Sequence, residues 1–117
     1  MEVSFAFTGL PVTDFEAARG WYERVLGRPP DRLPKRDEAV WQLTATSLVY
    51  VVADEARAGN GLLTMAVDRL DEQLAELARL GIPTQTEVLA NGVRKATVRD
   101  PDGNTISFFE ASAASAD

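Results

Sequence analysis

The 117-residue sequence contains no cysteine and no histidine. The first absence excludes disulfides and thiolate chemistry. The second removes the commonest metal ligand and the usual proton shuttle near neutral pH. Any site must therefore be built from carboxylates, amides, hydroxyls, Lys, Arg and aromatic rings. Positive charge is also scarce: 12 Lys and Arg face 18 Asp and Glu, for a formal net charge of −6. That balance argues against a nucleic-acid partner, whose phosphates reward clustered cations. No run approaches the ~20 apolar residues of a membrane span, so no membrane partner is expected. The first residues, MEVSFAF, lack a basic segment followed by a long apolar run, and a cytoplasmic location is expected.

What the sequence has is repetition. VTDFEAARGWYERVLGRPP starts at Val12, and a segment of the same design, VDRLDEQLAELARLGIPTQ, starts at Val67. Each follows an apolar stretch and ends in Gly near Pro. Thr13 with Glu16 fits a capping box at a helix start, and Asp68 with Asp71 is a weaker version of it. Phe15, Ala18, Tyr22 and Val25 then follow helical spacing, with Trp21 and Leu26 widening the stripe; Leu70, Leu74 and Leu77 do the same in the second copy. Gly27 and Gly81 are suited to end these helices.

Strand-like segments follow each helix. Residues 38–52 predict two strands about a polar turn, and residues 86–110 predict a hairpin start at Asn91-Gly92 and two further strands. Asp100-Pro101-Asp102-Gly103 carries the residues a type I turn prefers, so Asp100, Gly103 and Asn104 are assigned to building that turn. ADEARAGNG, residues 53–61, is polar and glycine-bearing and predicts a linker between the halves.

The paired modules, with VTDFEAARGWYERVLG in the first and DPDGNTISFFE closing the second, resemble the vicinal oxygen chelate superfamily. That family includes glyoxalase I, extradiol dioxygenases and bleomycin-resistance proteins. The resemblance implies an α+β fold: two tandem β-α-β-β-β modules form a curved mixed sheet around a cleft, with helices outside. It implies one domain over residues 1–112, with module one at about 1–53, a linker at 54–61 and module two at about 62–112. Residues 113–117 are then a flexible tail. A homodimer is the expected assembly.

The family's chemistry uses a divalent metal that polarises two neighbouring substrate oxygens. By the resemblance, its ligands would fall at Phe7, near Val52, at Leu62 and at Glu110. Only Glu110 offers an oxygen, and one carboxylate does not make a metal site. No metal and no cofactor are expected, with a divalent metal as the alternative. In the implied fold, Phe7, Leu62 and Glu110 share the concave face, making an apolar cup with one carboxylate. Ligand-binding candidates are Phe5, Phe7, Trp41 and Tyr50 in the first module. In the second they are Leu62, Thr64, Phe108 and Glu110. Trp41 and Tyr50 are open to either core packing or stacking on a flat ligand. Arg94 and Lys95 serve either the cleft or the protection of a sheet edge.

The expected function is metal-free binding of a small aromatic or cationic molecule. The alternative is a lyase, isomerase or dioxygenase-like enzyme using Glu110 as metal ligand or general base.

Overall fold

Asp14, one residue beyond the expected Thr13, caps the first helix: its carboxylate accepts from the Ala17 amide at 3.1 Å. The structure, a computed structural model, describes residues 1–111; the tail expected at 113–117 lies outside the described residues. It is α+β, with two tandem β-α-β-β-β modules, and the chain divides into two units that are described separately.

Unit 1 comprises Met1–Gly61 together with Asp100–Asn104. Its elements are β1 (Ala6–Val12), α1 (Phe15–Leu26), β2 (Arg32–Lys35), β3 (Glu38–Gln42) and β4 (Ser47–Ala53). The sheet order is β1-β4-β3-β2, with β1 parallel to β4 and the remaining pairs antiparallel. Helix α1 buries the stripe its spacing predicts: Phe15, Ala18, Trp21, Tyr22 and Val25. These residues share a core with Leu10, Val12, Ala39, Trp41, Val49 and Val51. The helix stops at Gly27, whose φ of 79° is left-handed and whose amide donates to the Glu23 carbonyl at 3.0 Å. Strand β2 supplies the third strand that the β-α-β-β-β pattern requires after α1, at a place no alternation in the sequence marks. It is short, exposed throughout and contains Pro34, all of which suit a strand at a sheet edge.

The Asp100–Asn104 turn packs as part of unit 1. The Asp100 carboxylate accepts from the Tyr22 hydroxyl, the Asn104 amide side chain, and the backbone amides of Asp102 and Asn104, at 2.7–3.0 Å. Asn104 also donates to the Pro11 carbonyl at 2.7 Å and accepts from the Gly61 amide at 2.6 Å. The Thr13 amide, released from the expected capping box, donates to Asp102 at 3.0 Å. The turn is therefore more than a reversal of the chain, because each of its polar side chains satisfies a group far away in sequence.

Unit 2 comprises Leu62–Arg99 and the chain from Thr105 onward. Its elements are β5 (Leu62–Val67), α2 (Leu70–Arg79), β6 (Gln85–Val88), β7 (Arg94–Arg99) and β8 (Thr105–Glu110), in the sheet order β5-β8-β7-β6. Helix α2 buries only Leu70 and Leu77, with Leu74 half-buried. Each buried leucine contributes roughly 1.5–3 kcal/mol, so α2 is held by fewer apolar contacts than α1. Its start also lacks a side-chain cap from Asp68 or Arg69. Glu110 takes that role from across the unit, accepting from the Leu70 amide at 2.9 Å.

Candidate functional site

Cross-strand partners point to the same side of a sheet, so the register fixes which residues share each face. In unit 1 the side away from α1 carries Phe7, Gly9 and Pro11 on β1, paired with Leu48, Tyr50 and Val52 on β4. Gly9 sits opposite Tyr50, and a Cβ at position 9 would lie 2.6 Å from the tyrosine's Cζ and Oη. The absence of a side chain there lets the Tyr50 ring lie across β1. The ring and its neighbours Gly9, Pro11 and Val52 wall a hollow of about 430 Å³. The opposite wall is the segment that the sequence predicted as a linker, through Asp54, Arg57 and Asn60. Asp54 and Arg57 form an ion pair at 2.7 Å, so this wall carries no net charge. A half-buried phenol ring, an apolar wall and a few polar groups are the ingredients of a small-molecule pocket.

In unit 2 the register corrects the expected grouping. Leu62 and Thr64 pair with Thr105 and Ser107, whereas Leu63, Met65 and Val67 pair with Ile106, Phe108 and Glu110. Leu62 and Glu110 therefore lie on opposite faces of this sheet, which corrects the expectation that they share one. Phe108 is 2% exposed in the core on the α2 side. Glu110, on that same side, is engaged with the Leu70 amide. Trp41 is also a core residue, fully buried, with its indole donating to the Arg28 carbonyl at 2.9 Å. Among the remaining candidates, Phe7 and Tyr50 share the open face of unit 1, and Leu62 and Thr64 share that of unit 2. Phe5 precedes β1 and is half exposed. Arg94 and Lys95 point to opposite sides, and Arg94 pairs with Asp71 at 2.9 Å. That hydrogen bond and the negative charge of Asp71, reinforced by Glu110, raise the Arg94 pKa above its ordinary value.

Gly9, Asp54, Arg57 and Asn60 were not foreseen as site residues. Gly9 did carry a signal, since a glycine within a strand marks close approach by a neighbour. The other three lie in a loop, where residue type alone shows no direction.

The donor set does not fit a divalent cation. Phe7, Val52 and Leu62 supply no ligand atom, and Glu110 faces the helix. No group of three or more Asp and Glu that could hold a metal exists among the described residues. No helix among the described residues is long and apolar enough to cross a membrane.

The sequence model of the Glyoxalase/Bleomycin resistance protein/Dioxygenase superfamily matches residues 4–108. The chain belongs to this superfamily. A glyoxalase/bleomycin resistance protein from Catenulispora acidiphila is similar at 41% identity and a TM-score of 0.86, over 93% of this chain and 98% of that one. A lactoylglutathione lyase from Agrobacterium tumefaciens shares the fold at 20% identity and a TM-score of 0.77, over 93% and 94% of the two chains. So does a bleomycin-binding protein solved with bleomycin, at 20% identity and a TM-score of 0.74, over 90% of this chain and 96% of that one. No curated protein matches the sequence. Within the superfamily, this member combines the two-module fold with apolar residues at three of the four positions where the resemblance places metal ligands.

Proposed function

We propose that this superfamily member binds a small, flat aromatic molecule without a metal or cofactor, as a cytoplasmic homodimer. The observation that carries the reading is the Tyr50 ring laid across Gly9, which gives the hollow of unit 1 an aromatic floor. A planar ligand group stacks on that ring against Pro11 and Val52, and a cationic substituent meets Asp54 by exchanging with Arg57. The bleomycin complex of a protein with the same fold supports ligand binding as such. Exposed Phe5 and Phe7, at and just before the free-edge strand β1, support association with a second copy. The enzymatic alternative through Glu110 has no comparable support, because its carboxylate is committed to the start of α2.

Isothermal titration against a panel of neutral and cationic planar compounds tests the reading. The expected result is saturable binding that Tyr50→Ala weakens about tenfold or more. Binding unaffected by Tyr50→Ala, no aromatic ligand across the panel, or a stoichiometric metal in the purified protein would overturn it. Light scattering reads the assembly separately, and a monomer at all concentrations removes the dimer.

A further inference from the structure

The sequence contains three asparagines, and two of them, Asn60 and Asn91, precede glycine. An Asn-Gly pair is open to spontaneous deamidation, because glycine puts no side chain in the way of its own amide nitrogen. That nitrogen attacks the side-chain amide carbon of the asparagine, so the reaction depends on whether the fold lets the two atoms meet. The two pairs are held in opposite ways.

Gly61 is locked. Its amide donates to Asn104 Oδ1 at 2.6 Å, and a Cβ there would lie 2.8 Å from that same oxygen and from Leu10 Cδ2. Asn104 is itself fully buried and bonded to Pro11 and Asp100. The Gly61 nitrogen cannot turn toward Asn60 without dismantling that network. Asn91 and Gly92 instead lie at the tip of the β6–β7 hairpin, and both are exposed. Gly92 has a left-handed φ of 85°, with no atom within 4 Å of where a Cβ would be. Asn91 Oδ1 accepts from the Val93 amide at 3.0 Å, which folds the side chain back over the intervening Gly92 peptide. The same N–H polarises the carbonyl and meets the charge that grows on its oxygen during attack. One hydrogen bond opposes the reaction: the Gly92 amide donates to the Leu89 carbonyl at 2.9 Å. That bond belongs to an exposed turn beside a four-residue edge strand with every residue exposed, so opening it is a local event.

We propose that Asn91 is a site of spontaneous modification, where water alone converts the side-chain amide to a carboxylate and part of the product gains an altered backbone. The Gly92 nitrogen loses its proton to water and bonds to Asn91 Cγ. The Cγ–Nδ2 bond then breaks, and Nδ2 departs as ammonia after taking a proton from solvent. Water opens the resulting cyclic imide at one carbonyl or the other, giving aspartate or isoaspartate. One water is consumed, one ammonia is released, and nothing is oxidised or reduced. Either product makes the formal net charge of −6 one unit more negative. Isoaspartate also routes the main chain through Cβ, adding an atom to the turn that sets Val88 opposite Arg94. Strand β6 has no second neighbour in its sheet to hold that register. The isoaspartate form therefore loosens β6, while the aspartate form keeps it in place. The reaction at Asn91 uses no residue of the Tyr50 hollow, so it stands or falls apart from ligand binding.

The test is peptide mapping by mass spectrometry of the whole chain held in warm, mildly alkaline buffer, beside the same chain unfolded in urea. In buffer, Asn91 should convert about tenfold faster than Asn60 or more, because only its glycine amide can open locally. In urea both pairs are released from the fold and should convert at similar rates. Asn104→Ala frees the Gly61 amide, and should raise conversion at Asn60 without changing Asn91. Should that variant fail to fold, the comparison of buffer with urea still decides. The isoaspartate form, resolved by chromatography, should exchange its β6 amide hydrogens about tenfold faster than unmodified protein, and Asn91→Asp should not. Conversion at Asn91 no faster than at Asn60 in buffer overturns the proposal. So does a preference for Asn91 that persists undiminished in urea, since the fold would then not be its cause. Equal β6 exchange in the isoaspartate form and in Asn91→Asp overturns the loosening of the strand.

Discussion

The Tyr22 hydroxyl donates to the Asp100 carboxylate at 2.7 Å, joining helix α1 to a turn 78 residues away. Both groups are buried, and the Tyr22 ring also packs edge-on against Trp21 at 4.8 Å. Burial, followed by the charge and hydrogen bond of Asp100, pushes the Tyr22 pKa above its ordinary value of 10.0.

Tyr22→Phe leaves the ring's packing and removes the donor, so the buried carboxylate loses one of its partners. The expected cost is about 1.5–3 kcal/mol, typical of a hydrogen bond to a charged group, read by urea unfolding. The raised pKa fixes the sign of the pH dependence. Unfolded chains lose this proton above pH ~10 while folded ones keep it, so its contribution is intact below that value and declines as pH rises. Wild-type stability should fall by about 1.4 kcal/mol per pH unit from this group, and Tyr22→Phe should show a shallower alkaline decline.

Asn104→Ala leaves the Pro11 carbonyl and the Gly61 amide without their partner. A loss of about 2–4 kcal/mol is expected, among the largest for any polar truncation in the chain. Denaturant midpoints compared across the turn variants check it.

Glu110 acts as a helix cap, which separates it from a catalytic base by a direct measurement. Glu110→Ala should cost about 1 kcal/mol and speed hydrogen exchange at Leu70 and in the first turn of α2. Glu110→Gln keeps an acceptor oxygen and should recover most of the loss. A glutamine variant as unstable as the alanine one would count against the cap.

Gly9→Ala tests the floor of the Tyr50 hollow. The added methyl meets the far end of a half-buried ring, which can swing aside, so the expected stability change is within about 1 kcal/mol. Displacing the ring should nonetheless reduce aromatic binding about as much as Tyr50→Ala does. In the double variant the two effects should not add.

Much of the architecture was legible because its signals are local. Helical spacing from Phe15 to Val25, Gly27 at the exit and the residues of the 100–104 turn each act through neighbours in the chain. The helix starts were off by a residue because distant groups intervened: Asp102 engages the Thr13 amide, and Glu110 replaces a cap at Asp68. The candidate site was harder to read. Along TISFFE, alternation correctly separates Phe108 from Phe109, but two adjacent aromatics do not show which side is the core. That choice depends on the parallel pairing of Leu62 with Thr105, set by a crossover no local pattern encodes. Pairing by register thus moved Phe108 and Glu110 to the helix side, and revealed Ser107, Thr97 and Arg99 on the other. The short strand β2 lacked any alternation to find, having every residue exposed and a proline within it.

The membership of Asp100–Asn104 in unit 1, while β7 and β8 belong to unit 2, constrains the order of biosynthesis. On a ribosome, the first sixty residues can emerge and form their sheet, yet the Tyr22 hydroxyl and the Pro11 carbonyl wait for partners not translated until residue 104. The N-terminal unit therefore completes its core only after most of the polypeptide exists. A fragment ending at Gly61 would be a folding intermediate in kind, with a docking place for a loop it does not contain.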